Sequence, residues 1–347
     1  MTIATSAGTA VSAKPARVEW IDSLRGIGIV LVVIGHVTSR PWLHHYIYLF
    51  HMPLFFAISG YVFKRTDPKA LVGRRVMTLL VPYAAYLVLI TGFDWLFCAF
   101  DGLKPSLPLK PLIVIGKFAI GGNFLHDTLT VAWFITSLFF ANLLYAALAW
   151  RLHGATTRWM TLIALAMLVL SYLTPPIRTP WAISQVPLAF FFFWAGAAYR
   201  ERGTEPWWVV LPALAIAIAS MAYAPDFDMK YMTYGSIWLN VPAALSVSYL
   251  LLRLARALGP VEPATRFCAS IGQAALVIMF VHKLVQIHLQ PFMPDWPIML
   301  IALVLSYAIY WAATKSAFTR TWLLGQGRVP DWMPWQGKTP ATAPSGR

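Results

Sequence analysis

RVEWIDSLRGIGIVLVVIGHVTSRPWLHHYIYLFHMPLFFAISGY, residues 17–61, reads as two apolar helices joined by a short turn at Ser39, Arg40 and Pro41. The first helix carries Asp22 and Arg25 near its start and His36 near its end. A charge at membrane depth costs roughly 2.5 kcal/mol or more, so it is normally kept only where it faces protein or water. Arg25 and His36 are eleven residues apart. That is three turns plus about 20°, so both point the same way, roughly 16 Å apart along the axis. One helix face thus offers an anion-binding guanidinium at one depth and a candidate general base near the other surface.

The rest of the chain continues in the same manner. It has 347 residues, 59% apolar and 12% charged, with a mean hydropathy of +0.64. This composition excludes a soluble domain. Apolar blocks of about twenty residues are long enough to cross a bilayer core. Ten spans are predicted, at about 21–38, 44–63, 76–100, 130–150, 158–173, 184–199, 207–223, 235–257, 268–288 and 297–315. Residues 111–122 are apolar but too short to cross, and read as a re-entrant or surface helix. The expected fold is therefore all-α, a polytopic membrane bundle of about ten transmembrane helices with both termini cytoplasmic.

Charge supports that topology. Of the 27 Lys and Arg, 19 fall on the side of the N-terminus and six on the other, with Arg25 and Lys283 inside spans. Positive-inside asymmetry therefore accounts for the net charge of +14, and no nucleic-acid partner is expected. Residues 1–18 resemble a signal peptide, but Asp22, Arg25 and His36 interrupt its apolar core. They read as a disordered leader before an uncleaved span, with a transmembrane domain over 19–318 and a basic, Pro/Gly-rich cytoplasmic tail over 319–347. Cys98 and Cys268 fall near opposite faces, so no disulfide is expected. No internal repeat is found, which weakens the case for a transporter built of two related halves.

The order I-D-x-L-R-G-I, with ten residues between its Arg25 and His36, then H-M-P-L-F-F-x-I-S-G-Y over His51 to Tyr61, resembles the membrane acyltransferase 3 family. The resemblance runs from about Arg17 to Lys315 and is densest over the first three spans. It implies O-acylation of a carbohydrate at a bacterial inner membrane, as in sugar O-acetyltransferases of exopolysaccharide biosynthesis. The implied co-substrate is acetyl-CoA, with a polysaccharide or lipid-linked sugar as acceptor. His36 would be the general base or would transiently carry the acyl group, since imidazole titrates near neutrality. Asp22 and Arg25 would complete the catalytic group. Arg25, Arg74 and Arg75 would hold the phosphates of the acyl-CoA, a task suited to a planar guanidinium fork. The family's R-x-x-R before L-x-x-P-Y is not kept here, because Thr78 stands at the second arginine. His51, His282, Asp94 and Trp133 would face the acceptor, Asp94 as partner of an outer-half histidine.

Each residue also has a plainer reading. Arg25 could snorkel to lipid phosphate, and Arg74 and Arg75 could mark topology alone. The histidines could be packed or capping groups, and Trp133 an interfacial anchor. Ser59 reads as a helix hydrogen-bonder rather than a nucleophile, and Gly60 as a site of close helix packing. The aromatic runs 190–194, 207–208 and 331–335 are expected to be lipid-facing or interfacial. No H-x-x-x-H or zinc spacing is present, so no metal is expected. A different class, a transporter or exporter of a glycan or acyl donor, would also use intramembrane Asp, Arg and His groups.

Overall fold

The computed structural model describes residues 19–154, 156–202 and 206–330. The leader, the 331–335 aromatic run and the rest of the tail beyond 330 lie outside them. Within the described residues the chain is helical and has no strands, only an isolated bridge between Asp228 and Thr233.

The helices are α1 (Glu19–Val37), α2 (Pro41–Tyr61), α3 (Pro68–Arg75), α4 (Val81–Asp101), α5 (Pro111–Ile120), α6 (Ala132–Arg151) and α7 (Arg158–Leu173). They continue as α8 (Val186–Arg202), α9 (Val210–Tyr223), α10 (Ile237–Ala257), α11 (Glu262–Gln273), α12 (Ala275–Leu289), α13 (Asp295–Ala313) and α14 (Ala317–Leu324). Glu19 and Asp22 in the first turn of α1 suit the positive end of its dipole. The residue before Pro41 cannot easily stay helical, and Pro41 itself starts α2. The turn is anchored, since Ser39 donates both its N–H and its hydroxyl to Asp295 at the start of α13 (2.6 and 2.8 Å).

Six helical stretches are long and apolar enough to cross a membrane: Glu19–Val37, Pro68–Asp101, Asp127–Arg151, Pro180–Arg202, Ile237–Ala257 and Asp295–Ala313. A seventh is a bent pair. The segment expected as one span at 268–288 is instead α11 and α12, bent by 68° at Ala274. The cause is polarity, because α11 begins Glu-Pro-Ala-Thr-Arg and lies against α1 rather than continuing the apolar run. The segments at 158–173 and 207–223 are helical but short, and α2 is less apolar because of its His and Tyr residues.

Without water to expel, membrane helices associate by close packing and interhelical hydrogen bonds. Two crossings here bring backbone against backbone. In α2 and α8, a side chain at Gly60 would collide with the Phe193 carbonyl, and one at Gly196 with the Ala57 carbonyl. In α1 and α11, Gly26 and Gly272 play the same reciprocal parts against the carbonyls of Cys268 and Asp22. Phe190, Phe191, Phe192 and Phe193 are all buried, at 0–4% exposure, so the expectation that this run faces lipid is corrected. The tight α2–α8 crossing turns this helix inward, where Phe193 meets Phe63 and Tyr145 edge to face or tilted. Trp207 and Trp208 are exposed. Thr319 to Leu324, at the start of the expected tail, belong to α14, which packs on α4.

Gly196→Leu is expected to separate α2 from α8 and cost about 1–3 kcal/mol by overpacking. The readout is the apparent unfolding midpoint of the detergent-purified protein. Gly92→Leu, where a side chain would meet open space, should leave the midpoint unchanged.

Candidate active site

His36, at the end of α1, faces a cavity of about 490 Å³. Four further segments wall it besides α1. From α2 come Tyr48 and His51. The stretch entering α6 supplies Asp127 and Trp133, the α9–α10 loop supplies Asp228 and Lys230, and α12 supplies Lys283 and Gln286.

The hydrogen bonds fix most of the imidazoles. His36 Nδ1 lies 2.8 Å from Tyr48 Oη. Gln286 donates its amide to the His36 carbonyl at 2.6 Å, binding α12 to the end of α1. His51 donates Nδ1–H to the Ile47 carbonyl (2.9 Å), and His282 donates Nδ1–H to the Ile278 carbonyl (2.8 Å). Each of those two rings therefore presents a bare Nε2 lone pair. Their ring centres stand 6.0 and 5.1 Å from that of His36. Nε2 of His282 is buried with no hydrogen-bond partner. His51 lines the cavity, whereas His282 sits behind the wall. His44 is tied to the Gly35 carbonyl and stacks near Tyr48.

Outside the spans, the loop between α9 and α10 closes one side. Lys230 donates to the Leu125 carbonyl (3.0 Å) and to Thr130 Oγ1 (2.5 Å), pinning this loop to the one before α6. Burial pushes the Lys230 ammonium down to about 8 and pushes the Asp228 carboxyl up. Asp127, with φ +51, is one of the few non-glycine residues in the left-handed region, a conformation Asp tolerates better than most.

The structure does not bring every expected site residue here. Asp22 and Arg25 pair at 2.9 Å at the opposite end of α1 and do not line the cavity. Arg25 lies near enough to Arg75 for their charges to repel, as does Arg74, so the three arginines form one basic group. Arg75 Nε is buried with no hydrogen-bond partner. The chain after Arg75 is a π turn, Val76–Leu80, a form frequent at functional sites, and it contains Thr78. Trp133 does line the cavity. Asp94 does not, and the histidine it meets is His288 (3.1 Å), not His51 or His282. Ser59 donates to the Phe55 carbonyl, as a helix hydrogen-bonder should.

Sequence reasoning missed Tyr48, Lys230, Lys283 and Gln286. Two signals were present: Tyr48 precedes His51 by three residues on one helix face, and Lys283 is a charge inside an apolar run. The approach of the 224–231 loop leaves no local trace in the sequence.

These features define a multi-pass helical membrane protein with a buried histidine cavity. Residues 18–315 match a family model described as an acyltransferase domain, and the chain belongs to the acyltransferase 3 family. It is similar to the nodulation protein NolL of Sinorhizobium fredii, 40% identical over 102 residues, covering 25% of this chain and 28% of that protein. NolL of Mesorhizobium japonicum is 43% identical over 85 residues, covering 20% and 22%. The matched region thus spans under a third of either relative. No solved structure matches the chain.

The buried ammonium has a consequence for pH. With Lys230 near 8 when folded and about 10.4 when unfolded, the unfolded chain holds more protons between those values. Its contribution to stability therefore rises with pH across that window. Relative to Lys230→Met, the wild type should gain apparent unfolding midpoint from about pH 8 to about pH 10. Parallel curves would refute this.

Proposed function

We propose that this protein is an integral membrane O-acyltransferase moving an acetyl group from acetyl-CoA to a hydroxyl of a cell-surface or exopolysaccharide sugar in the bacterial inner membrane. The observation that carries the reading is His36 on the wall of a polar cavity, its Nδ1 held by Tyr48 Oη. When Nδ1–H donates to Tyr48, Nε2 keeps its lone pair and can take a proton from an acceptor hydroxyl. The freed oxygen attacks the thioester carbonyl and forms the ester. The CoA thiolate leaves and recovers the proton from the His36 imidazolium. His51, with Nε2 bare, accepts from a second sugar hydroxyl, and Trp133 offers an apolar face to the ring.

The donor is held at the other end of α1. Arg25, Arg74 and Arg75 contact the CoA phosphates, and Asp22 positions Arg25 through their ion pair. The unpartnered Arg75 Nε supports this, since a buried guanidinium donor wants an acceptor. For the pantetheine arm to reach His36 it must pass along α1 where Gly26–Gly35 is packed against its neighbours, so this reading requires those contacts to open. In this reading the ten expected segments cross, the ninth as the bent α11–α12 pair, and both termini are cytoplasmic, with the arginines inward and His36 outward. The excess of Lys and Arg on one side supports that orientation. The His and Tyr residues that make α2 less apolar than its neighbours then face the cavity rather than lipid.

His36→Ala is expected to lower acetyl transfer by about 10²–10⁴-fold, the usual worth of a general base. In cells, the surface glycan should lose acetyl while its total amount stays normal. Loss of the glycan itself would point to export, and normal acetyl would sink the proposal. Arg75→Ala is expected to raise KM for acetyl-CoA by about tenfold or more, the worth of a charge-assisted hydrogen bond, and to change kcat less.

A further inference from the structure

Asp94, Cys98 and Asp101 stand at i, i+4 and i+7 on α4, so they share one helix face. His288, in the last turn of α12, meets them. Its Nε2 is 3.1 Å from Asp94 Oδ1 and its Nδ1 is 2.5 Å from Asp101 Oδ2. The ligand atoms of Asp94, Cys98 and His288 all lie within 4.8 Å of one another. None of these four residues lines the His36 cavity, and the proposed reaction uses none of them.

The ring of His288 is the telling feature. It is buried and has a carboxylate against each nitrogen. A neutral imidazole has one N–H, so one of those contacts would set a lone pair against an anion. A cation between Nε2 and Asp94 removes that clash and, unlike a second ring proton, also engages the Cys98 thiol beside them.

We propose that Asp94, Cys98 and His288 bind a zinc ion, with Asp101 as the carboxylate that orients His288. A thiolate, an imidazole and a carboxylate suit zinc and are wrong for magnesium or calcium. The Nδ1–H donated to Asp101 is the outer-shell carboxylate–histidine contact that ligating histidines almost always make. Asp94 is itself held, because its other oxygen accepts from the Ser106 N–H at 2.7 Å. Two anionic ligands neutralise the dication, which lowers the cost of burying it. The ion joins the end of α4 to the end of α12. His288 is two residues beyond Gln286, whose amide holds the His36 carbonyl. The metal thus fixes the depth of the helix that carries the back wall of the cavity. This site stands on its own geometry and does not depend on the acyltransferase reading.

The test uses the full chain in detergent with Cys268→Ser, which leaves Cys98 as the single thiol. Zinc should slow maleimide labelling of Cys98 by about tenfold or more, and a chelator should restore it. Elemental analysis should find about one zinc per chain, as a single site of three protein ligands requires. His288→Ala and Asp94→Asn should lose both effects, and Asp101→Asn should weaken zinc affinity about 10–100-fold. The labelling assay needs no change to the three ligands, so a misfolded variant cannot blur the answer. Zinc content at background after incubation with zinc would overturn the proposal. So would labelling that ignores zinc, or equal zinc content in Cys98→Ser and His288→Ala.

Discussion

Hydrocarbon offers no partner to a polar group, and the arrangement of α1 follows from that constraint. Its two ends carry the groups that lipid would penalise most. At one end Asp22 satisfies Arg25 within the helix. At the other, His36 is enclosed by Tyr48, His51 and His282 and roofed by loops. Between them runs Gly26–Gly35, apolar and packed against α2, α11 and α12. The helix therefore separates two polar environments by a length of ordinary core. In the proposed reaction, that separation lets a nucleotide tail and a sugar approach from different sides.

How much of this was legible beforehand depended on whether the signal was local. The α1–α2 hairpin and its turn could be read because Pro41 and the apolar periodicity act within a few residues. Asp94 could be assigned a histidine partner in kind, yet the ring it meets is His288 rather than His51 or His282, since rotation about α12 is set by packing such as the Tyr86–Phe280 stack. The phenylalanine run at 190–193 misled because hydrophobicity alone cannot distinguish lipid from core. Only the α2–α8 contact decides that. The bend at Ala274 was hidden for a similar reason. The apolar stretch beginning near 268 overlaps the polar helix that lies against α1, and the hydropathy of the two merges at the junction.

The imidazoles show how backbone geometry prepares chemistry. His51 and His282 each donate Nδ1–H to the carbonyl four residues back on its own helix. That bond sets the tautomer without any second side chain. His36 lacks a carbonyl partner and takes Tyr48 instead, a group that can both give and accept. The three rings are thus near neighbours with different freedoms, and only His36 can exchange its Nδ1 role as its protonation changes.

The two crossings in which glycine meets a facing carbonyl carry an evolutionary implication. Distance there is set by what is missing, not by complementary shapes. Residues around these points are therefore at liberty to drift, provided four positions stay bare. A protein built this way can diverge widely over its lipid-facing surface and its loops while its helices keep one spacing.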